Sequence, residues 1–228
     1  KKEIQQNIIE FINDKSDMHY NLHILKNIFT SSQFKEDYYE LTLTLRLISK
    51  ISNNYHRNPE FFSKIEKIIL LLKGKIQTKL SNSDIFNIFK KNKRILLFLI
   101  EEKILKPDKN IGNLMIEEKY NLLNYPVYFF NEFQSFFKEK VDSILDYKEI
   151  NKYESELFNE KRKIGENHHY ICELIRNDSI DEFISFVNHR NLSLLSKIEH
   201  SIFETNPFLN KNKNTSLIEY AVFHGSIQ

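Results

Sequence analysis

Apolar residues recur every three or four positions along almost the whole of this chain, and that spacing is the strongest constraint on its fold. In "RNPEFFSKIEKIILLLKGK" the residues Phe61, Ile65, Ile68, Ile69 and Leu72 fall on one helical face. Asn58 and Pro59 ahead of them read as a helix start, and Gly74 reads as a break or C-cap. The same period places Ile4, Ile8, Phe11 and Ile12 on one stripe. It places Phe34, Tyr38, Leu41, Leu45, Ile48 and Ile51 on another. The second stripe contains "LTLTLRL", which alternates like a strand, but the longer period outweighs the shorter and predicts a helix. Gly and Pro number only four each in 228 residues, far below ordinary usage of roughly 7% and 5%. So few turn formers argue against a many-stranded sheet, and the expected fold is all-α.

The remaining stretches extend the pattern. "MHYNLHILKNIF" fits a second helix. "SNSDIFNIFKKNK" and "RILLFLIEEKIL" read as two short antiparallel helices closed by Pro107, and "IGNLMIEEKYNLL" as one closed by Pro126. "VYFFNEFQSFFKEKVDSIL" reads as a helix sending Phe129, Phe133, Phe136, Phe137, Val141 and Ile144 to a core. Residues 1–150 therefore form an antiparallel helical array. The mostly charged "NKYESELFNEKRKIGEN" suits a connecting helix over residues 151–167, with paired charges along its face and a stop at Gly165. From residue 168 to 228 the chain reads as a helix, a tight turn and a second helix, then a loop-like segment and a last helix. Ser179 and Glu182 fit a capping box opening "IDEFISFV". Ile171, Leu174 and Ile175 pack from the first of these helices, and Ile180, Phe183, Ile184 and Val187 from the second.

The closing stretch "SLIEYAVFHGSIQ" resembles the opening of an ankyrin repeat, T-P-L-H-x-A-A-x-x-G-H, whose first helix ends at the glycine. Ser216 falls on the Thr position, Leu217 on the Pro, Ile218 on the Leu and Glu219 on the His. Ala221 and Val222 fall on the Ala pair and Gly225 on the Gly. "CELIRNDSIDEFISFVN" resembles a degenerate repeat before it, with Leu174 and Ile175 on the Ala pair, Asp178 on the Gly, and Ser179, Glu182 and Phe183 opening its second helix. The two pairs lie 47 residues apart, longer than the usual repeat, and "SKIEHSIFETNPFL" supplies the excess as an insertion projecting from the stack. The block over about residues 157–228 is similar to the large protist families of ankyrin proteins that carry a helical domain of unknown function ahead of their repeats. That resemblance implies a helical array leading into an ankyrin solenoid, protein–protein recognition, no reaction and no cofactor. On this reading the chain holds half of its last repeat. Both ends read as cut, and we expect Ile218, Ala221 and Val222 to be covered by a partner or by further chain.

No stretch carries a chemistry of comparable weight. His19 and His23 have the spacing of a metal pair, but no second pair of ligands accompanies them. His168 and His169 precede Cys172, yet successive helical residues diverge by about 100°. Cys172 sits among Tyr170, Ile171 and Ile175 and reads as a small core residue. Gly-rich phosphate loops and G-x-S-x-G, H-E-x-x-H and C-x-x-C motifs do not occur. Acid pairs such as Glu101 and Glu102 read as exposed faces. The sequons beginning at Asn177, Asn191 and Asn214 read as chance in an Asn-rich chain. We expect no enzyme, no cofactor and no metal.

The net charge is +2, unlike the clustered basic surface of an obligate nucleic-acid binder. The densest basic run is "KKNKR", with Lys90, Lys91, Lys93 and Arg94. A single cysteine suits a reducing compartment, and no apolar run approaches a membrane span. The leading expectation is a cytoplasmic adaptor or scaffold whose partner is another protein. Its exposed contact candidates are Ile202, Phe203, Phe208, Lys211 and Lys213. A permanent part of a cytoskeletal or axonemal, microtubule-associated assembly is the second expectation. A nucleic-acid-associated role for the Lys90–Arg94 run is the third.

Overall fold

The computed structural model describes residues 2–13, 18–30, 37–54, 60–117, 124–140, 155–211 and 214–226. The expectations for Phe34, Asn58, Pro59, Val141, Ile144 and Lys213 fall outside these residues. Among the described residues every regular element is a helix, and the one β feature is an isolated antiparallel bridge between Lys197 and Ser216. The fold is all-α. The chain forms two compact units, Lys1–Lys106 and Pro107–Gln228.

The described helices of the first unit are α1 (Lys2–Asn13), α2 (Met18–Thr30), α3 (Tyr38–Ser52), α4 (Phe61–Lys79), α5 (Asn82–Phe89) and α6 (Lys93–Glu101). At 1.5 Å per residue α4 is about 28 Å long, and α1, α2 and α3 pack against it. Its Ile65, Ile68, Ile69, Leu72 and Ile76 are fully buried, which is why the strongest stripe in the sequence becomes the centre of the unit. Two α4 lysines turn inward. Lys64 is buried, and its Nζ donates to Ile12 O at 3.2 Å. Lys75 Nζ donates to Phe29 O. Both carbonyls lie in the last turn of a helix, where no intrahelical donor remains and a cation meets the negative helix end.

Several expected breaks fall elsewhere. Gly74 sits inside α4, where a Cβ would meet nothing within 4 Å, and the helix continues to Lys79. Leu72 and Ile76 on either side of it are buried, and their packing holds the turn that a glycine alone would weaken. α6 ends well before Pro107, at Glu102 and a left-handed Lys103 with φ 58°. α3 is a helix through "LTLTLRL", but its buried face begins at Leu41, and Tyr38 is exposed.

The second unit contains α7 (Lys109–Glu117), α8 (Tyr125–Tyr128), α9 (Gln134–Lys140), α10 (Glu156–Ile164), α11 (Tyr170–Arg176), α12 (Ile180–His189), α13 (Pro207–Lys211) and α14 (Leu217–His224). Pro126 does not close a helix; it lies in the first turn of α8, where its missing N–H costs nothing. The single helix expected from Val127 onward is divided into α8 and α9 by a turn. Phe129, Phe130, Phe133 and Phe137 are buried there. α7 approaches α9 at Gly112, where an added Cβ would lie 2.5 Å from the Phe136 ring.

α10 starts at Ser155, whose side chain accepts from Phe158 N, and ends on left-handed Gly165. It is not a solvated, self-paired face throughout. Arg162 is buried and forms a two-pronged bond with Glu132, at 2.7 and 3.0 Å, and donates to Tyr128 O at 2.7 Å. Tyr128 Oη returns a bond to Arg162 O at 2.6 Å.

Candidate functional site

Three helix ends in the segment from α11 to α14 are built alike, those of α11, α12 and α14, and the end of α6 in the first unit has the same form, with Asn191 at φ 50° and Lys103 at φ 58° as the left-handed residues. At the end of α11, Asp178 N donates to Ile175 O at 3.2 Å and Ser179 N to Leu174 O at 3.0 Å. At the end of α14, Gly225 N donates to Val222 O at 3.1 Å and Ser226 N to Ala221 O at 3.0 Å. Asp178 has φ 52° and Gly225 φ 73°. Each end is therefore a Schellman turn with one left-handed residue, strain-free at Gly225 and tolerated by the short polar Asp178. The equivalent residues differ in cover. Leu174 and Ile175 are buried, whereas Ala221 is half-buried and Val222 is 53% exposed.

α14 is held at its start by a capping box. Ser216 Oγ accepts from Glu219 N at 3.4 Å, while a Glu219 carboxylate oxygen accepts from Ser216 N and Ser216 Oγ, each at 2.7 Å. The backbone bond from Ser216, then its hydroxyl, hold the Glu219 carboxyl below its ordinary range. Thr215 O accepts from Ile198 N at 2.9 Å, and Leu217 N donates to Ser196 O at 3.0 Å. These bonds flank the Lys197–Ser216 bridge and fasten α14 to the preceding loop.

The capping box expected at Ser179 and Glu182 does not form. Ser179 occupies the N-cap of α12 without a side-chain cap bond. Its ψ is 73°, against 165° at Ser216. Its backbone is already committed to the Schellman turn of α11, so the hydroxyl is not carried over the first turn of α12. α12 also packs less than its stripe predicts. Phe183 rests on the core, Val187 is half-buried, and Ile180 and Ile184 are about half exposed.

The core beneath these helices is Cys172, Ile175, Leu209, Leu217 and Tyr220. Burial pushes the Cys172 thiol up to about 12, against the smaller downward pull of Arg176. Arg176 joins α11 to α14. Its Nη1 donates to Asn167 O and to Tyr220 Oη, both at 2.7 Å, and its Nε lies 2.8 Å from Glu166 Oε2. Burial alone would lower the guanidinium's pKa; Tyr220 and Glu166 more than offset this.

The expected insertion does not project. Ser201, Phe203, Glu204, Thr205, Asn206 and Asn210 are all buried. Glu204 accepts from Asn167 N at 3.2 Å and Asn206 N at 2.8 Å, and its carbonyl accepts from Asn210 Nδ2 at 2.8 Å. Thr205 N and Oγ1 both donate to Gly165 O, at 3.1 and 2.8 Å. Polar side chains thus replace the missing helical ladder and fold the segment down onto the unit. No periodicity announces this, since the pattern is one of hydrogen-bond partners rather than of apolar spacing.

The expected contact residues separate accordingly. Phe203 is buried, edge-on to Phe158 at 5.2 Å and to His168 at 4.9 Å. Ile202 lines a recess of about 660 Å³ with Leu157 and His200. Phe208 is 56% exposed and stacks on Phe223 at 5.6 Å. Lys211 is the last residue of α13. Phe208, Ile218, Val222 and Phe223 form the mainly apolar wall of a second recess, about 330 Å³.

His168 and His169 stack at 4.5 Å, with His168 Nδ1 at 2.8 Å from Ser201 Oγ and His169 Nε2 at 3.7 Å from Glu199. Burial, then His169 and Lys161, lower His168 to about 4. His23 Nδ1 lies 3.3 Å from Asn27 Nδ2; the side chain of His19 is outside the described residues. Among the described residues no group of three or more His, Cys, Asp or Glu is placed to hold a metal ion, and no helix is long and apolar enough to cross a membrane.

In the first unit the basic run does not form one patch. Lys93 is buried, and the Arg94 guanidinium lies 3.8 Å over the Phe62 ring. Asn92, between them, caps α6 by accepting from Ile95 N at 3.0 Å and donates to Ser52 O at 3.2 Å. Only Lys90 and Lys91 face a surface groove. The chain matches no protein-family model, no curated protein and no solved structure.

Proposed function

We propose that this chain is a non-enzymatic protein-interaction module of the ankyrin type, an adaptor or scaffold that binds another protein through its second unit. The observation that carries this reading is the open apolar face of α14. Phe208, Ile218 and Val222 are 56%, 38% and 53% exposed around one recess. Contiguous exposed apolar side chains of this kind mark interaction sites far more often than single exposed ones do, and covering them releases roughly 25 cal/mol per Å². What supports the ankyrin type is α14 itself: its capping box at Ser216 and its left-handed Gly225 stand at the Thr and Gly positions of the repeat opening. On this reading the small Ala221 and the exposed Val222 would meet the helices of a following repeat.

A photo-crosslinking amino acid placed at Ile218 or Val222 tests the proposal in the native cell, with Tyr39 of the first unit as an equally exposed control. Discrete protein adducts from 218 and 222, absent from 39 and lost with Phe208→Asp, are expected. A folded protein that yields no site-specific adduct refutes the reading. Adducts found only in the salt-washed filament fraction assign the chain to a permanent assembly rather than to an adaptor.

A further inference from the structure

The first unit contains a preformed groove of about 360 Å³ between α3 and α5. Its walls follow the helical period: Tyr38, Thr42, Arg46 and Lys50 along α3 face Asn87, Lys90 and Lys91 at the end of α5. Ser49 Oγ donates to Ile88 O at 2.7 Å and ties the two helices along the groove floor. Four cations and one carboxylate, Asp84, line this space. Asp84 is already engaged, accepting from Ser81 Oγ at 2.6 Å and Ser81 N at 3.2 Å in the capping box of α5. Among the described residues Arg46, Lys50 and Lys91 have no ion-pair partner.

Cations at helix C-termini are stabilising, which accounts for Lys50, Lys90 and Lys91 singly. It does not account for Arg46, which sits mid-helix, nor for the convergence of all four on one concavity. Like charges gathered in a cleft repel one another and raise the local potential that draws in an anion. The groove also offers amide donors. Asn53 Oδ1 accepts from Asn92 Nδ2 at 3.3 Å, which leaves the Asn53 amide N–H groups for an acceptor.

We propose that this groove is a binding site for a small ligand carrying clustered phosphoryl groups. Each phosphoryl group bears about −1.5 to −2, so two of them match the excess positive charge, where a single carboxylate would leave most of it unanswered. The Arg46 fork suits a phosphoryl oxygen pair. The volume suits a compact ligand. A nucleic-acid strand needs a continuous basic track, and the run breaks at once: Lys93 is buried and Arg94 covers Phe62. This site is independent of the recess on α14 and of the function proposed for it.

The test is calorimetric titration of the whole chain with inositol hexakisphosphate, with ATP, and with vesicles containing a phosphoinositide bisphosphate. A short single-stranded RNA and the same vesicles without phosphoinositide serve as comparisons. Micromolar binding of at least one phosphorylated probe at about 50 mM salt, weakening as salt rises, is expected. R46Q and K91Q should each weaken it roughly tenfold, while K106Q, a charge removed elsewhere, should leave it unchanged. Circular dichroism melting should show all three variants folded. Binding to vesicles alone identifies the source as a lipid headgroup; binding to the free phosphates identifies a soluble ligand. No binding by any phosphorylated probe, equal weakening by K106Q, or tighter binding of RNA than of the phosphates overturns the proposal.

Discussion

Replacing Arg176 by Met should loosen the second unit by more than any surface charge substitution would. The guanidinium is the shared donor for three acceptors. Tyr220 is buried, and its hydroxyl lies 2.7 Å from Nη1; Asn167 is buried, and its carbonyl accepts at the same distance. Glu166 is more exposed, with 28% of its side chain accessible. Losing the donor strands a buried hydroxyl and a buried carbonyl, at about 1–3 kcal/mol each. The solvent-screened Glu166 pair adds about 0–1 kcal/mol. Methionine restores the apolar contacts of the arginine stem, so the net loss should be about 3 kcal/mol. Urea unfolding followed by circular dichroism and tyrosine fluorescence measures it.

The pairwise part separates in a double-mutant cycle with Tyr220→Phe. Phenylalanine removes the hydroxyl that Arg176→Met would strand, so the second substitution should cost about 1 kcal/mol less in that background. A single-variant loss below about 1 kcal/mol, or strict additivity of the pair, would show that Arg176 does not hold α14 to α11 and that the apolar core does so alone.

Other consequences follow from burial, backbone and charge. Gly74→Ala should raise stability by about 0.5–1 kcal/mol, because the site is regular, exposed helix with room for a methyl group. Gly112→Ala should lower it by about 1–3 kcal/mol, because the Phe136 ring stands in the way; equilibrium unfolding reads both, and equal signs would refute the distinction. Cys172, buried and held up at about 12, should resist a disulfide reagent at neutral pH in the folded protein and react on unfolding; prompt native labelling would contradict the core placement. His168 is exposed as a residue, but its ring packs against Phe203 and His169, and that partial burial, with His169 and Lys161 adding to it and Glu199 opposing, holds it down at about 4. The unfolded chain then takes up a proton near pH 6.5 that the folded chain refuses, so stability should fall from about pH 6.5 to about 4 and level off below. The fall should be smaller in His168→Gln; an unchanged pH profile would remove the histidine from that account.

The helices were legible because burial writes itself into apolar spacing. Ile65, Ile68, Ile69 and Leu72 needed no structure to be placed on the central face, and the longer stripe decided "LTLTLRL" correctly. Breaks were less legible, since a lone glycine or proline states a preference of about 1–3 kcal/mol that neighbouring packing overrides. Gly74 stays in a helix because Leu72 and Ile76 hold it there. Pro126 starts a helix rather than ending one, because its ring fits a first turn as well as a terminus.

Polar residues were the least legible, and the site depends on them. Lys64, Arg162, Glu204 and Asn206 have the sequence signature of solvated residues, and each is buried. What places them is a partner far along the chain: Ile12 for Lys64, Glu132 for Arg162, Asn167 for Glu204. A hydrogen bond across tens of residues leaves no periodic trace. The Ser–Glu pair shows the same limit locally. Both S-x-x-E stretches have the composition of a capping box, and only Ser216 with Glu219 closes one. The difference lies in ψ, which at Ser179 is set by the preceding turn rather than by the residues themselves. The segment over 196–209 fails as a free loop because its polar side chains bond to particular partners: Ser201 Oγ to His168 and Phe203 N, Thr205 Oγ1 to Gly165 O, and Asn206 Oδ1 to Phe208 N. Because that folding leaves Phe208 beside Ile218 and Val222, removing the Glu204 and Thr205 bonds should separate Phe208 from α14 and abolish the site-specific crosslinks expected at 218 and 222.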